Sequence, residues 1–284
     1  MSKRSKRNRQ QDLQKSGTVV NISKTLVDIV IPTAGRFDLL TRCLEAIPAA
    51  AKDITYTTII VDNASPKEEA DKFYVHFPPP VKVIRNKQNF GYPKGCNQGA
   101  NRGYSPLIFV LTDDVILDPL AITNAVRAID DPSVGIVGLK LVFPKDTSAE
   151  EDEPRKIQHI GLMSNIRGEI VHAFIGWNEN HPKVNAMHEA LAVTGAAFIT
   201  RRSLWNKIGG FNEIYGTGYF EDVDYCMSLR ELGYNIIVEP NAVGTHFVGS
   251  TFKHLNQGSM LGVNRLKFLQ RWTGKLVWTE WMHW

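Results

Sequence analysis

The chain has 284 residues, three cysteines and a formal net charge of +4. That length supports one large domain or two small ones with a well-buried core. It contains no run of about 18 apolar residues, which excludes a bilayer-spanning helix, and its body lacks the basic footprint of a nucleic-acid binder, because six Lys/Arg against one Asp fall within residues 1–16 and leave the rest close to neutral.

That basic tail has no apolar core segment, so it reads as a solvated, disordered extension over 1–25 and not as a secretory signal. Cys43, Cys96 and Cys226 are far apart and read as small buried hydrophobes in a reducing compartment. A cytoplasmic location is expected. From residue 27 strands and helices alternate. "VDIVIP" (27–32), "YTTIIVD" (56–62), "VKVIRN" (81–86), "PLIFVL" (106–111) and "VGIVGLKLVF" (134–143) read as strands. Between them, 36–47 carries Leu39, Leu40, Cys43, Leu44 and Ile47 on one helical stripe, and 93–103 is a short helix with glycine at both ends. Asp118-Pro119 predicts an N-cap and first-turn proline for a helix running to about Ile129. This order means a mainly parallel α/β sheet.

The second half is less regular. The acidic stretch 148–154 reads as a surface loop. "IQHIGLMSN" and "EIVHAFIG" are candidates for a hairpin, 191–200 for a strand, 221–232 for a helix, "NIIVEP" for a strand and 260–272 for a helix. One domain is expected over 26–284, with halves at 26–130 and 131–255 and a helical segment at 256–284.

In an open parallel sheet, ligands bind beyond the carboxyl ends of the strands. "PTAGRFD", "DNAS" and "TDDV" follow the first, second and fourth strands and collect Asp62, Asp113 and Asp114 along one edge. The first turn lacks G-x-G-x-x-G, so a pyrophosphate would need another counter-charge, and a divalent cation on "TDDV" is one way to supply it. His246 in "GTHFVGS" is a candidate nitrogen ligand. Further on, "GTGYFEDVDYCMSLRELGY" places Glu221, Asp222 and Asp224 in a first helical turn. Such acids suit the helix dipole. At about 100° per residue, however, Asp222 projects with Cys226 and Leu229, inward, whereas Asp224 falls nearly opposite, towards solvent.

Together these segments resemble family 2 glycosyltransferases of the inverting, GT-A type, over about residues 26–250. "IIVDNAS", "NKQNFGYPKGCNQGA", "VLTDDVIL", "TGAAFITRRSLWNKIGGFNEIYGTGYFEDVDYCMSLRELGY" and "GTHFVGST" stand in the family's order. The resemblance implies a nucleotide-sugar donor bound by Pro32, Thr33, Arg36, Asp62, Asn63, Gly91, Lys94, Asn97 and Asp113. It implies Asp222 as general base, with Glu221, Gly195 and Tyr219 on the acceptor side. Asp114 and His246 would hold a divalent cation, Mn²⁺ or Mg²⁺. The acceptor would be a glycan or a lipid-linked hydroxyl compound. Two positions depart from the pattern: Thr112 opens the metal triad where the family has Asp or Asn, and Pro93 replaces a small residue.

Three rival readings follow from the same residues. A nicotinamide dehydrogenase lacks its glycine fingerprint here. A nucleotidyltransferase usually needs a Gly-rich basic first turn, and Pro32–Arg36 supplies only Gly35 and Arg36. A non-catalytic carbohydrate-binding module of the same fold is the third. No nucleic-acid partner is expected. The basic tail and Trp278, Trp281 and Trp284 are candidates for peripheral membrane contact, with core packing of the tryptophans an equal alternative.

Overall fold

The computed structural model describes residues 26–76, 81–145, 150, 152–165, 169–247 and 257–275. The basic tail, the three C-terminal tryptophans and part of the acidic stretch lie outside the described residues. In chain order the elements are β1 (Leu26–Thr33), α1 (Phe37–Ala50), β2 (Thr55–Asp62), α2 (Lys67–Tyr74), β3 (Lys82–Arg85), α3 (Tyr92–Arg102), β4 (Leu107–Leu111), β5 (Val115–Leu117), α4 (Ala121–Ala128), β6 (Val134–Val142) and β7 (Ile157–His159). They continue with β8 (Leu162–Ser164), β9 (Ile170–His172), β10 (His188–Glu189), β11 (Ala197–Arg201), α5 (Arg202–Ile208), α6 (Glu221–Glu231), β12 (Asn235–His246) and α7 (Gln257–Trp272).

The central sheet runs β10-β12-β6-β11-β4-β1-β2-β3. β3, β2, β1 and β4 are mutually parallel, as are β6 and β12, while β11 is inserted antiparallel between β4 and β6. The mainly parallel α/β architecture is therefore the expected one. Strands buried on both faces read as near-continuous apolar runs; β4 does so throughout, and β1 does so apart from Asp28. Val27, Ile29 and Ile31 of β1 join one core with α1 and α4. Val30 faces the other core, which holds Phe198, Trp205, Phe211 and Tyr225. The period-2 alternation of strand side chains produces this division.

One charge is buried inside β1. Asp28 accepts from the Ser105 amide at 2.7 Å and the Ser105 hydroxyl at 2.9 Å, and pairs with Arg202 at 2.6 Å. A carboxylate survives in a dry strand only with such partners.

The hairpin is present as β8 and β9, with Leu162 opposite His172. The strand expected over 191–200 is confined to Ala197–Arg201. Helices α2 and α5 and strands β5 and β10 lie where the sequence reading places no element, and β7, the first part of "IQHIGLMSN", pairs with β6 and not within the hairpin. Asp118 does not cap α4 with its side chain: Leu120, at φ +66°, precedes the helix. The Asp118 carboxylate instead takes both arms of the Arg155 guanidinium, at 3.1 and 2.7 Å. That bidentate, charge-assisted pair outweighs a single cap bond.

Candidate functional site

Register brings the donor-side residues together. Thr33 is level with Asp62 across β1 and β2, and β4 ends beside them. The Thr33 hydroxyl donates to Asp113 at 2.6 Å. Asp113 is buried, and burial together with the neighbouring Asp114 pushes its carboxyl up to about 7, against the lowering influence of Thr33 and Arg36. Arg36 also sits 3.5 Å from Asp38. Pro32 is buried at the same strand end.

Asp62 is only 1% exposed. It accepts from the Ser65 amide at 2.8 Å and meets Arg85 at 3.2 Å. Asn63 donates to the Gly91 carbonyl at 3.2 Å and accepts from Asn86 at 2.7 Å. Asp62 and Asn63 thus shape the edge through bonds to the protein itself.

Gly91, at φ +89°, leads into α3, and a Cβ there would lie 2.0 Å from the Gly216 carbonyl oxygen. Only glycine permits this crossing of the two loops. Pro93 falls in the first turn of α3, where a missing N–H costs nothing. Asn97 is a clamp: its amide bonds both the carbonyl and the N–H of Phe211, at 2.8 and 2.9 Å. Lys94 lies 4.6 Å from the Phe90 ring centroid and 4.0 Å from Glu213.

Pairing of β5 with β12 sets His246 opposite Val115. His246 Nε2 then lies 3.3 Å from Asp114 Oδ1, while its Nδ1 is 3.3 Å from Gln158 Oε1. Thr112 donates its hydroxyl to the Ala196 carbonyl at 3.3 Å. Among the described residues no group of three or more His, Cys, Asp or Glu side chains converges as a metal site. Asp114 and His246 nevertheless fit a cation completed by substrate oxygens, because adjacent buried acids such as Asp113 and Asp114 are costly without positive charge. Magnesium-type ions commonly take one or two protein ligands and the remainder from phosphate and water.

The second set of acids opens α6. Asp222 is partly exposed although densely surrounded. It accepts from the Gly195 amide at 2.7 Å and the Val223 amide at 2.8 Å. Desolvation raises its carboxyl above the ordinary range, and these two amides restrain the rise. Glu221 is buried, with one carboxylate oxygen lacking a hydrogen-bond partner among the described residues. Burial first, then the charge of Asp222, holds it well above the ordinary range. Gly195 gives its carbonyl to the Tyr92 hydroxyl at 2.6 Å. Tyr219 and Phe220 both sit at positive φ, +74° and +75°. The Asn264 amide of α7 holds this turn by bonding the carbonyls of Tyr215 and Gly218, at 2.8 and 2.7 Å.

Asp224 corrects the helical-wheel expectation: it is buried, not solvated. It accepts from Tyr215 at 3.0 Å and from the Trp272 indole at 2.7 Å, and meets Arg271 at 3.3 Å. The wheel gave the angle correctly, but α7 covers that face. A cavity of about 400 Å³ lies beside it, lined by Asn97, Phe211, Glu213, Asp224 and Arg271. Its walls include none of the strand-edge acids.

Arg85 and Asn264 had no signal in a local motif, since each acts on a segment distant in sequence; Tyr92 fills the aromatic position after Gly91 in "NKQNFGYPKGCNQGA", but its bond to Gly195 had no local sign. The three cysteines are buried and free, as expected.

The fold is a mainly parallel α/β domain with one set of acids at the strand edge and a second at the start of α6. The family model described as Glycosyl transferase family 2 matches residues 28–207, and the chain belongs to that family. It is 27% identical over 218 residues to the O-antigen biosynthesis protein RfbC of Myxococcus xanthus, covering 74% of this chain and 16% of that one. Among solved structures, GalNAc-T7 with UDP, GalNAc and Mn²⁺ superposes with a TM-score of 0.60 at 13% identity, covering 78% of this chain and 43% of the other. The mannosyltransferase PcManGT of Pyrobaculum calidifontis, with GDP-Man and Mn²⁺, gives 0.56 at 16% identity, covering 87% and 64%. The fold is GT-A. The chain spans less than half the length of the curated relatives it matches. No helix among the described residues is long and apolar enough to cross a membrane.

Proposed function

We propose that the chain transfers a sugar from a nucleoside-diphosphate donor to a hydroxyl of a glycan or lipid-linked acceptor, with inversion at the anomeric carbon. The observation that carries this reading is the half-buried Asp222, held by two backbone amides with its carboxyl raised above the ordinary range. A hydroxyl is a poor nucleophile and needs a base poised to take its proton. Asp222 is that base. Glu221 and Tyr219 flank it on the acceptor side, and Gly195 presents the amide that orients it.

The strand edge formed by Pro32, Thr33, Arg36, Asp62, Asn63 and Asp113, with Gly91, Lys94 and Asn97 from the neighbouring loop and helix, shapes the donor site. Asp114 and His246 would hold one Mn²⁺ or Mg²⁺ with the donor diphosphate. When bound, that cation offsets the charge that develops on the leaving nucleotide. Peripheral contact with an anionic membrane through the basic tail fits a lipid-linked acceptor.

The test is Asp222→Asn. Folding and nucleotide binding should be unchanged while transfer falls about 10²–10⁴-fold. Retention of most activity would place the base elsewhere, with Glu221 the first alternative.

A further inference from the structure

Asp222 takes one of its two hydrogen bonds from Gly195, and the peptide just before Gly195 is itself held by a buried ring. His159, at the end of β7, is fully buried. Its Nε2 lies 3.2 Å from the Gly161 amide nitrogen and 3.2 Å from that of Thr194. Its Nδ1 lies 2.9 Å from His172 Nδ1, the two rings meeting edge to face.

A backbone N–H can only donate, so His159 Nε2 must be a bare acceptor. The His159 proton is therefore on Nδ1, which donates to His172 Nδ1. That leaves the His172 proton on Nε2. A proton added to either ring would set N–H against N–H. Burial acts in the same direction, holding His159 well below the ordinary imidazole range and His172 down to about 4.

We propose that His159 and His172 form a neutral pair of fixed tautomer that positions Asp222 through the Thr194–Gly195 peptide. The proposal rests on the reading of Asp222 as base. His159 fixes the Thr194 amide, and the next amide, that of Gly195, donates to Asp222 Oδ2 at 2.7 Å. The Tyr92 hydroxyl holds the Gly195 carbonyl from the opposite side. The turn that returns the Gly161 amide to the ring has φ +103°, and a Cβ there would meet the Ala190 Cβ at 2.8 Å. An apolar residue at 159 would leave two buried donors unsatisfied and free the loop to swing. The pair touches no reacting atom and acts only by orienting the base.

The experiment uses the full chain with ¹⁵N-labelled histidine, together with His159→Leu and His159→Gln. In the parent, ¹⁵N shifts at pH 7 should show His159 protonated at Nδ1 and His172 at Nε2, both neutral. His159→Leu should lower kcat by up to about 10²-fold with the donor KM unchanged, the scale expected for a misplaced catalytic group. Its acidic kcat limb should move to higher pH, because Asp222 loses the Gly195 amide that favours its charged form. The titratable groups facing Asp222 are Glu221, Cys226 and Tyr92, and the substitution alters none of them. In His159→Gln the amide oxygen can accept the same two N–H groups, so kcat and the limb should recover.

The opposite tautomers, a cationic ring at pH 7, or identical behaviour of the Leu and Gln variants would overturn the proposal. If His159→Leu does not fold, the parent spectrum and His159→Gln still decide. An inactive Asp222→Asn with an unaffected His159→Leu would remove the pair alone, whereas an active Asp222→Asn would remove the reading beneath it.

Discussion

The acids at the strand edge and those at the start of α6 are held in opposite ways. Asp62 and Asp114 meet cationic or ionisable partners, Arg85 and His246. Among the described residues, Asp222 meets only backbone amides, and Glu221 leaves one oxygen unsatisfied. A carboxylate surrounded by donors keeps its charge; one left half-satisfied in a dry place holds on to a proton more readily. The first environment suits binding a cation and a nucleotide, the second suits accepting a proton. Asp113 is the exception at the strand edge, raised to about 7 beside Asp114, and it marks where positive charge would be most effective.

The sharpest way to break this contrast is Asp222→Asn, with its expected loss of about 10²–10⁴ in transfer rate, measured alongside unchanged donor affinity. Next in size is Asp224→Ala. Although Asp224 belongs to the same helical turn, it is a clasp, and removing it strands Tyr215, Trp272 and Arg271. Leaving the buried Tyr215 and Trp272 donors unsatisfied costs about 1–3 kcal/mol each, with little added by the exposed Arg271, so the urea midpoint should fall well below that of the parent. A midpoint within error of the parent would contradict the clasp.

Asp114→Ala tests the other set. Metal-dependent thermal stabilisation by a nucleoside diphosphate should vanish, a loss of about 2.7 kcal/mol at ligand concentrations 100 times Kd. Persistence of the shift would separate Asp114 from the cation.

A smaller effect concerns Glu221 and pH. Its folded carboxyl is raised, so the native state binds more protons than the unfolded one above about pH 4. The contribution of Glu221 is therefore fully present below that pH and is lost as pH rises towards its folded value. Glu221→Gln should flatten the decline in stability between pH 4.5 and neutrality, as read from chemical denaturation at several pH values; an unchanged slope would assign the decline to other groups. The smallest effect is expected from deleting residues 2–16, which should leave donor hydrolysis at the parental rate.

The strand edge was legible in the sequence because β1, β2 and β4 each close on an apolar run that stops at polar residues, and parallel topology then fixes which ends meet. The burial of the acids in α6 was not legible from helical phase: Asp222, expected inward, is partly exposed, whereas Glu221 and Asp224 are buried, because phase gives an angle but not what lies there. Trp272, 48 residues later, covers a face that looked free, and α6 is consequently buried on nearly every side. Asp118 failed for a related reason: a cap motif competes with an arginine 37 residues away. The part His159 plays was invisible because its partners are backbone amides, which leave no trace in residue type.

Asn264 and Trp272 give α7 a standing that its position in the chain conceals. The family match ends at residue 207, and a boundary drawn after β12 would look clean on a topology diagram. Such a cut would release the 215–219 carbonyls from Asn264 and Asp224 from Trp272. Tyr219 and Phe220, both non-glycine residues at positive φ, would then lose the support that keeps them there. Through Trp272, α7 is therefore the brace of the turn that opens α6, although the helix lies wholly beyond the family match.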